Sequence, residues 1–161
     1  FDDIGRGADH LSSIASEYKL DMDRVIVMGH SAGGHLALWL AARALPSGNR
    51  PVSANFPYRG VLGLAPAADL AYLHEAQVCL AYQQADPMQY ALRDVPQVLV
   101  IGKFDETWAP PGLSYFRAAT GRGENVRKLE ASESGHFEMI DPDSSTWPLV
   151  LNAARELLNS P

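Results

Sequence analysis

The chain has 161 residues, of which 47% are hydrophobic and 20% are charged, and we expect a single globular domain over residues 1–161. The formal net charge is -6 and the basic residues are scattered, which excludes nucleic acids and anionic membrane surfaces as expected partners. No apolar run reaches the roughly 18 residues of a membrane span, and residues 1–4 do not resemble a signal peptide, so we expect a cytoplasmic protein. The single cysteine, Cys79, excludes an intrachain disulfide and is expected to be a small buried residue.

Three elements are predicted in the first third of the chain. Residues 3–19 carry an apolar face at helical spacing from the first turn onward, and because no methionine precedes this helix, we expect a missing N-terminal portion. The apolar run at 25–28 predicts a buried strand. From Ala32 a helical pattern continues to about Leu45, where a Pro-Ser-Gly sequence is expected to end it.

Strands and helices alternate through the rest of the chain, with a loop or short helix around residues 86–96. This alternation predicts βαβ crossovers, and therefore an α/β fold in which about four mainly parallel strands have helices on both faces. The predicted elements are strands at 60–65, 97–101 and 126–130 and helices at 69–82, 112–119 and 147–158.

The two ends of the predicted sheet differ in composition. Strand 126–130 carries Arg127, Lys128 and Glu130, and such charges are typical of an edge strand. Strand 25–28 is apolar like an interior strand, yet no earlier strand of this chain would pair with its second side. We therefore expect that N-terminal strands are missing and that the exposed edge at 25–28 favours a homo-oligomer.

The strand at 25–28 runs into the sequence Gly-x-Ser-x-Gly, with Ser31 at its centre. A strand, this motif and a helix in succession predict a nucleophile elbow, a sharp turn that exposes a serine beside a base and backbone donors. A Cβ at Gly29 or Gly33 is expected to collide with neighbouring backbone, and Gly34 is expected to let the helix pack close to the sheet.

An elbow serine requires an acid and then a histidine at the ends of later strands. Asp105 follows the strand at 97–101, and His136 follows the strand at 126–130. We expect His136 to take the proton of Ser31 as general base, while Asp105 orients the imidazole and stabilises the imidazolium. Glu106 is a possible competitor to Asp105. Asp69, which follows the second strand, is an alternative acid in principle, but we expect it to cap a helix.

The motifs Gly-His-Ser-Ala-Gly-Gly-His-Leu-Ala-Leu, Gly-x-x-Asp and Ser-Gly-His-Phe together resemble the carboxyl-terminal portion of α/β-hydrolase esterases. Within that superfamily the sequence is most similar to the kynurenine-formamidase-like and hormone-sensitive-lipase-like branch. The resemblance implies a triad of Ser31, Asp105 and His136, with the amide of Ala32 as one oxyanion donor. Such enzymes usually obtain further donors from a His-Gly-Gly type loop, and this sequence contains none.

Other residues near the motifs have less specific interpretations. His30 and His35 flank the elbow, where turn packing is favoured over a catalytic role, although His30 is also a candidate for binding substrate. Trp108 follows the acid and could line the acyl or leaving-group pocket. His10 and His74 are expected on helix surfaces, and because no histidine pair has the spacing of a zinc site, neither a metal nor another cofactor is expected.

Two functions are consistent with these patterns. The first is a serine hydrolase that cleaves small carboxylic esters or N-formyl or aryl amides through an acyl-enzyme. The second is a shortened hydrolase-like module that binds a ligand with little or no turnover, because a single oxyanion donor predicts a weak catalyst. The expected partner of the hydrolase is a small ester or amide molecule, whereas the module would bind a ligand or partner of unspecified chemistry.

Overall fold

The computed structural model describes residues 1–43, 58–75 and 85–159. Short turns of 3-10 helix lie at Pro87–Gln89 and Glu138–Ile140. The helices are α1 (Asp2–Tyr18), α2 (Ala32–Arg43), α3 (Leu70–Glu75), α4 (Ala109–Gly121) and α5 (Trp147–Asn159), and the strands are β1 (Ile26–His30), β2 (Gly60–Leu64), β3 (Gln97–Gly102) and β4 (Val126–Ala131).

The four predicted strands are present, and each end lies within two residues of its expected position. The predicted end of α2 near Leu45, the second half of the helix expected at 69–82, and Cys79 lie outside the described residues. Helix α4 begins at Ala109, three residues earlier than expected, because prolines in the first turn have no N–H group that would need an acceptor.

The strands form one parallel sheet in the order β1-β2-β3-β4. Alternate side chains of each strand point to opposite faces, and both faces are covered. Leu99 packs with α2 and α4 in one cluster, whereas Val98 and Val100 pack with α5 in the other. The predicted α/β fold with about four parallel strands between helices is therefore confirmed.

Strands β1 and β4 lie at the two edges of this sheet. The edge position expected for β4 is confirmed, and Arg127 and Lys128 on it are exposed. Among the described residues β1 pairs only with β2, and Met28 on β1 is 49% exposed. Association of two copies through this edge stays a prediction.

A membrane span is not found among the helices that the structure describes, since none is both long enough and apolar enough to cross a bilayer.

Replacing Leu99 by alanine should lower the free energy of unfolding by about 2–5 kcal/mol, because shortening a fully buried side chain leaves a cavity in the core. Leu99 is 0% exposed at the centre of the sheet. Leu20→Ala is the matched control, since Leu20 is 39% exposed and a surface change should cost about 0.5 kcal/mol or less. Urea denaturation measures both values, and equal losses would contradict this assignment of the core.

Candidate active site

Ser31 lies at the turn between β1 and α2, with a φ angle of +56°. This left-handed conformation is strained for a residue with a Cβ, and such strain persists only where the surroundings enforce it. Here β2 and the residues after it do so: the Ser31 amide donates to Leu64 O at 2.8 Å, and Ser31 O accepts from the amide of Ala67 at 3.0 Å. The structure thus contains the elbow that the sequence predicts.

The glycines of the elbow have different roles. A Cβ added to Gly29 would lie 2.1 Å from Gly33 O, and one added to Gly34 would lie 2.9 Å from Pro66 Cα. The collision expected at Gly29 and the close packing expected at Gly34 are therefore present, and the turn can close only with glycine at these positions. The collision expected at Gly33 is wrong, because a Cβ there would have no atom within 4 Å. The close approaches occur at Gly29 on the strand and at Gly34 in the helix.

The amide of Ala32 is at the first position of α2. No acceptor for this amide is found among the described residues. The first amides of a helix lack intrahelical partners and carry partial positive charge, so they are suited to an oxygen that becomes negative. Ala32 is exposed, which leaves this donor available to a substrate.

Asp105 and His136 form a buried pair. His136 Nδ1 donates to Asp105 Oδ2 at 2.6 Å. The side chain of His136 is 10% exposed and that of Asp105 is 2% exposed. The other carboxylate oxygen, Oδ1, accepts from the Trp108 amide at 3.0 Å. Both oxygens of Asp105 are therefore engaged, which offsets the cost of burying the charge. Glu106, considered as a competitor, is exposed and does not pair with His136.

The segment 132–137, here called the His136 loop, carries this histidine across the carboxyl-terminal edge of the sheet. Its Ser134 O accepts from the Phe104 amide at 2.9 Å. A Cβ on Gly102 would lie 2.0 Å from Gly135 O, so glycine at the end of β3 is what lets the loop lie against it. The loop then reaches β1, where His30 Nε2 lies 2.7 Å from His136 O.

This path brings the predicted residues together from distant strands. With a spacing of about 4.8 Å between neighbouring strands, β1 and β4 are roughly 14 Å apart in the sheet. The loop removes this separation for His136, whose ring centroid lies 4.5 Å from that of His30, the residue before Ser31. The hydrogen bonds among the described residues do not include one between Ser31 and His136, and such bonds often tighten only around a substrate.

Aromatic side chains surround the imidazole of His136. The rings of Trp108 and Phe137 lie 5.8 and 5.0 Å from it, measured between centroids. Phe104 and Phe137 are 64% and 66% exposed. Trp108, considered as a substrate-binding residue, is therefore beside His136, and the exposed ring of Phe137 adds a second apolar surface next to it.

The two histidines that flank the elbow are held by backbone carbonyls. His30 Nε2 donates to His136 O, and His35 Nε2 donates to Ala85 O at 2.8 Å. Burial is the main cause that lowers the pKa of each of these histidines, although the hydrogen bond acts in the opposite direction. Both rings are therefore neutral at pH 7, with the proton on Nε2. His10 and His74 are exposed, as expected.

In the parts of the chain that the structure describes, no group of three or more His, Cys, Asp or Glu side chains is arranged to hold a metal ion.

The lowered pKa values predict that the protein loses stability as the pH falls below about 6.5. In that range the unfolded chain binds protons at these histidines while the folded protein does not, so unfolding becomes more favourable. His35→Gln keeps an amide donor toward Ala85 but cannot titrate, and should reduce the slope by up to about 1.4 kcal/mol per pH unit. Urea unfolding at several pH values measures the slope, and an unchanged slope in the variant would contradict the prediction.

Comparisons with known proteins agree with this architecture. A family model described as BD-FAE matches residues 1–78. No curated protein sequence gives a significant match to the chain.

Several solved esterases have a similar structure. The chain superposes on the thermophilic esterase Est2 of Thermogutta terrifontis with a TM-score of 0.72 and 16% identity, covering 97% of this chain and 63% of that one. For esterase B from Lactobacillus rhamnosis the TM-score is 0.81, the identity 20% and the coverage 97% and 60%. For a truncated carbohydrate esterase from gut microbiota these values are 0.74, 15%, 98% and 68%.

The chain thus spans less than two thirds of the length of the first two esterases. At such identities the likeness establishes the fold. The predicted resemblance is confirmed at this level: the chain has part of the α/β-hydrolase fold, including the strand and elbow of Ser31 and the later strands that carry Asp105 and His136.

Proposed function

We propose that this chain carries the catalytic centre of a serine hydrolase that cleaves small carboxylic esters through an acyl-enzyme. The observation that carries the proposal is the return of the His136 loop from β4 to the end of β1. Through this return His136, whose imidazole is hydrogen-bonded at 2.6 Å to a buried carboxylate, contacts His30, the residue that directly precedes the serine on the strained elbow. Nucleophilic catalysis by serine needs this combination of base, orienting acid and exposed hydroxyl.

In the first step, Ser31 Oγ attacks the ester carbonyl carbon while its proton passes to His136 Nε2. Asp105 accepts the hydrogen bond from Nδ1, which leaves Nε2 free to act as base and stabilises the imidazolium. The carbonyl oxygen becomes an oxyanion that accepts from the Ala32 amide. The intermediate collapses when the C–O bond breaks and His136 Nε2–H protonates the leaving alcohol.

In the second step, water attacks the acyl-enzyme with His136 as base. The intermediate releases the carboxylic acid, and the proton returns to Ser31 Oγ. We propose amides, including N-formyl or aryl amides, as further substrates of the same two steps, with the leaving amine protonated by His136. The rings of Trp108 and Phe137 beside His136 supply contact surface for the acyl or leaving group.

The solved neighbours support short acyl groups and an activated serine. The Thermogutta terrifontis esterase is described with butyrate bound, with propionate bound and as phosphorylated by paraoxon. Organophosphates of this kind react with activated nucleophiles, and small carboxylates fit the product side of ester hydrolysis. By analogy, this chain would act on short-chain esters.

A binding module with little turnover is the second candidate. It is favoured by the presence of one predicted oxyanion donor, Ala32, and no His-Gly-Gly sequence in this chain. Loss of one such donor typically lowers turnover by about 10²–10³-fold. The two candidates differ in whether Ser31 reacts, which a covalent probe reports directly.

A fluorophosphonate probe should label the purified chain on Ser31, because the His136–Asp105 pair activates this hydroxyl. Ser31→Ala should abolish the labelling, as seen by intact-protein mass spectrometry and a fluorescent gel. Circular dichroism of both proteins checks that they are folded. A folded wild-type chain that is not labelled would refute the hydrolase and favour the binding module.

Asp105→Asn should lower the labelling rate and the turnover of p-nitrophenyl acetate by about 10³–10⁴-fold, because the amide no longer selects the required imidazole tautomer. The remaining side-chain oxygen can still accept from the Trp108 amide, so the fold is preserved. Glu106→Gln is the matched control: it is the same chemical change one residue away at an exposed position, and should leave the rate unchanged. Equal losses in the two variants would argue against Asp105 as the acid.

A further inference from the structure

We infer that His30 is a positioning residue that fastens the His136 loop to the nucleophile elbow. The inference deepens the proposed function, on which it rests, by adding a fourth side chain that sets the geometry of the site. Its effect is exerted through the backbone of His136 and not through contact with substrate.

The hydrogen bond between His30 and His136 O has only one possible direction. A carbonyl oxygen accepts, so His30 Nε2 carries the proton and donates over 2.7 Å. His30 directly precedes Ser31, and the acceptor belongs to the general base itself. The bond therefore links the backbone of the base to the residue next to the nucleophile, so that a single residue, His30, connects the two positions.

The other hydrogen bonds of the loop go to residues outside the elbow, among them Ser145 and Thr146 just before α5. Ser134 O is held by the Phe104 amide, and the imidazole is held by Asp105, both of which follow β3. These contacts tie the loop to the residues after β3 and before α5, and none of them connects it directly to β1. Among the described residues, the hydrogen bonds and ring contacts between elbow residues 29–33 and the His136 loop all come from His30.

Ring packing supports the same role. The His30 ring lies 4.5 Å from the ring of His136 and 5.8 Å from that of Phe137, measured between centroids. His30 thus contacts the imidazole as well as the carbonyl of the same residue. A neutral donor is suited to this place, because a permanent cation would repel the imidazolium that forms on His136 during acyl transfer. Burial lowers the pKa of His30, which keeps its ring neutral at pH 7.

The sequence also made His30 a candidate for binding substrate, and this arrangement argues for a different role. Its Nε2–H is already donated to the backbone, so that group is not available to a substrate. Packing at the turn is the favoured expectation for His30, and its ring does pack there, against the His136 loop.

Three variants test the positioning role: His30→Ala, His30→Asn and His30→Gln. The amide nitrogen of glutamine takes roughly the place of Nε2, whereas that of asparagine takes roughly the place of Nδ1. We expect His30→Ala and His30→Asn to slow fluorophosphonate labelling by at least about tenfold, since a misplaced base is costly. His30→Gln should recover most of the rate. With p-nitrophenyl acetate the loss should appear in kcat, with KM little changed.

A second readout does not depend on activity. The proton between His136 Nδ1 and Asp105 should give a downfield NMR signal, which is identified by its absence in Asp105→Asn. We expect this signal to broaden through exchange with water in His30→Ala and His30→Asn and to persist in His30→Gln. His35→Ala is the control, because this histidine also flanks the elbow and donates to a carbonyl, but to that of Ala85. It should lose stability and keep both the signal and the labelling rate.

The outcomes separate the two proposals. An unchanged NMR signal and labelling rate in His30→Ala would overturn the positioning role. If His30→Ala does not fold, equal rates and signals in His30→Asn and His30→Gln would overturn it instead. A wild-type chain that shows the signal but no labelling would refute the hydrolase, while the response of the signal to the His30 variants would still decide how His136 is held.

Discussion

The return of the His136 loop across the end of the sheet is the constraint on which the site depends. Parallel strands place the residues that follow them at one edge, but β1 and β4 are three strand spacings apart. A side chain cannot bridge roughly 14 Å, so the backbone after β4 has to turn back over β3. Gly102 makes this possible, since its missing Cβ leaves space for the carbonyl of Gly135.

The elbow of Ser31 likewise depends on a glycine that allows close backbone packing and on hydrogen bonds to a neighbouring strand. Gly29 allows the turn after β1 to close on α2, and β2 holds Ser31 in its strained conformation through bonds to Leu64 and from Ala67. Strain of this kind costs about 1–3 kcal/mol, which the surrounding hydrogen bonds and packing offset. The elbow is therefore held on one side by the sheet and on the other by the start of α2. There the Ala32 amide has no acceptor among the described residues.

The electrostatics of the site depend on one buried carboxylate and on two neutral histidines, besides His136. Asp105 is the buried carboxylate, and both of its oxygens accept hydrogen bonds. His30 and His35 are kept neutral by burial and donate to carbonyls. His136 is therefore the one of these three imidazoles that is hydrogen-bonded to a carboxylate, as the proposed role of general base requires.

The order of elements, the parallel sheet and the charged edge at β4 followed from the sequence, as did the expectation that Ser31, Asp105 and His136 belong to one site. These features depend on local patterns: apolar runs, helical periodicity and motifs placed after strands. Three features depended on contacts between residues far apart in the chain, which local patterns do not encode. They are the hydrogen bond between Asp105 and His136, the open space at Gly33 and the bond from His30 to His136. Only the folded structure determines them, because each depends on which backbone the His136 loop and the elbow approach once the sheet has formed.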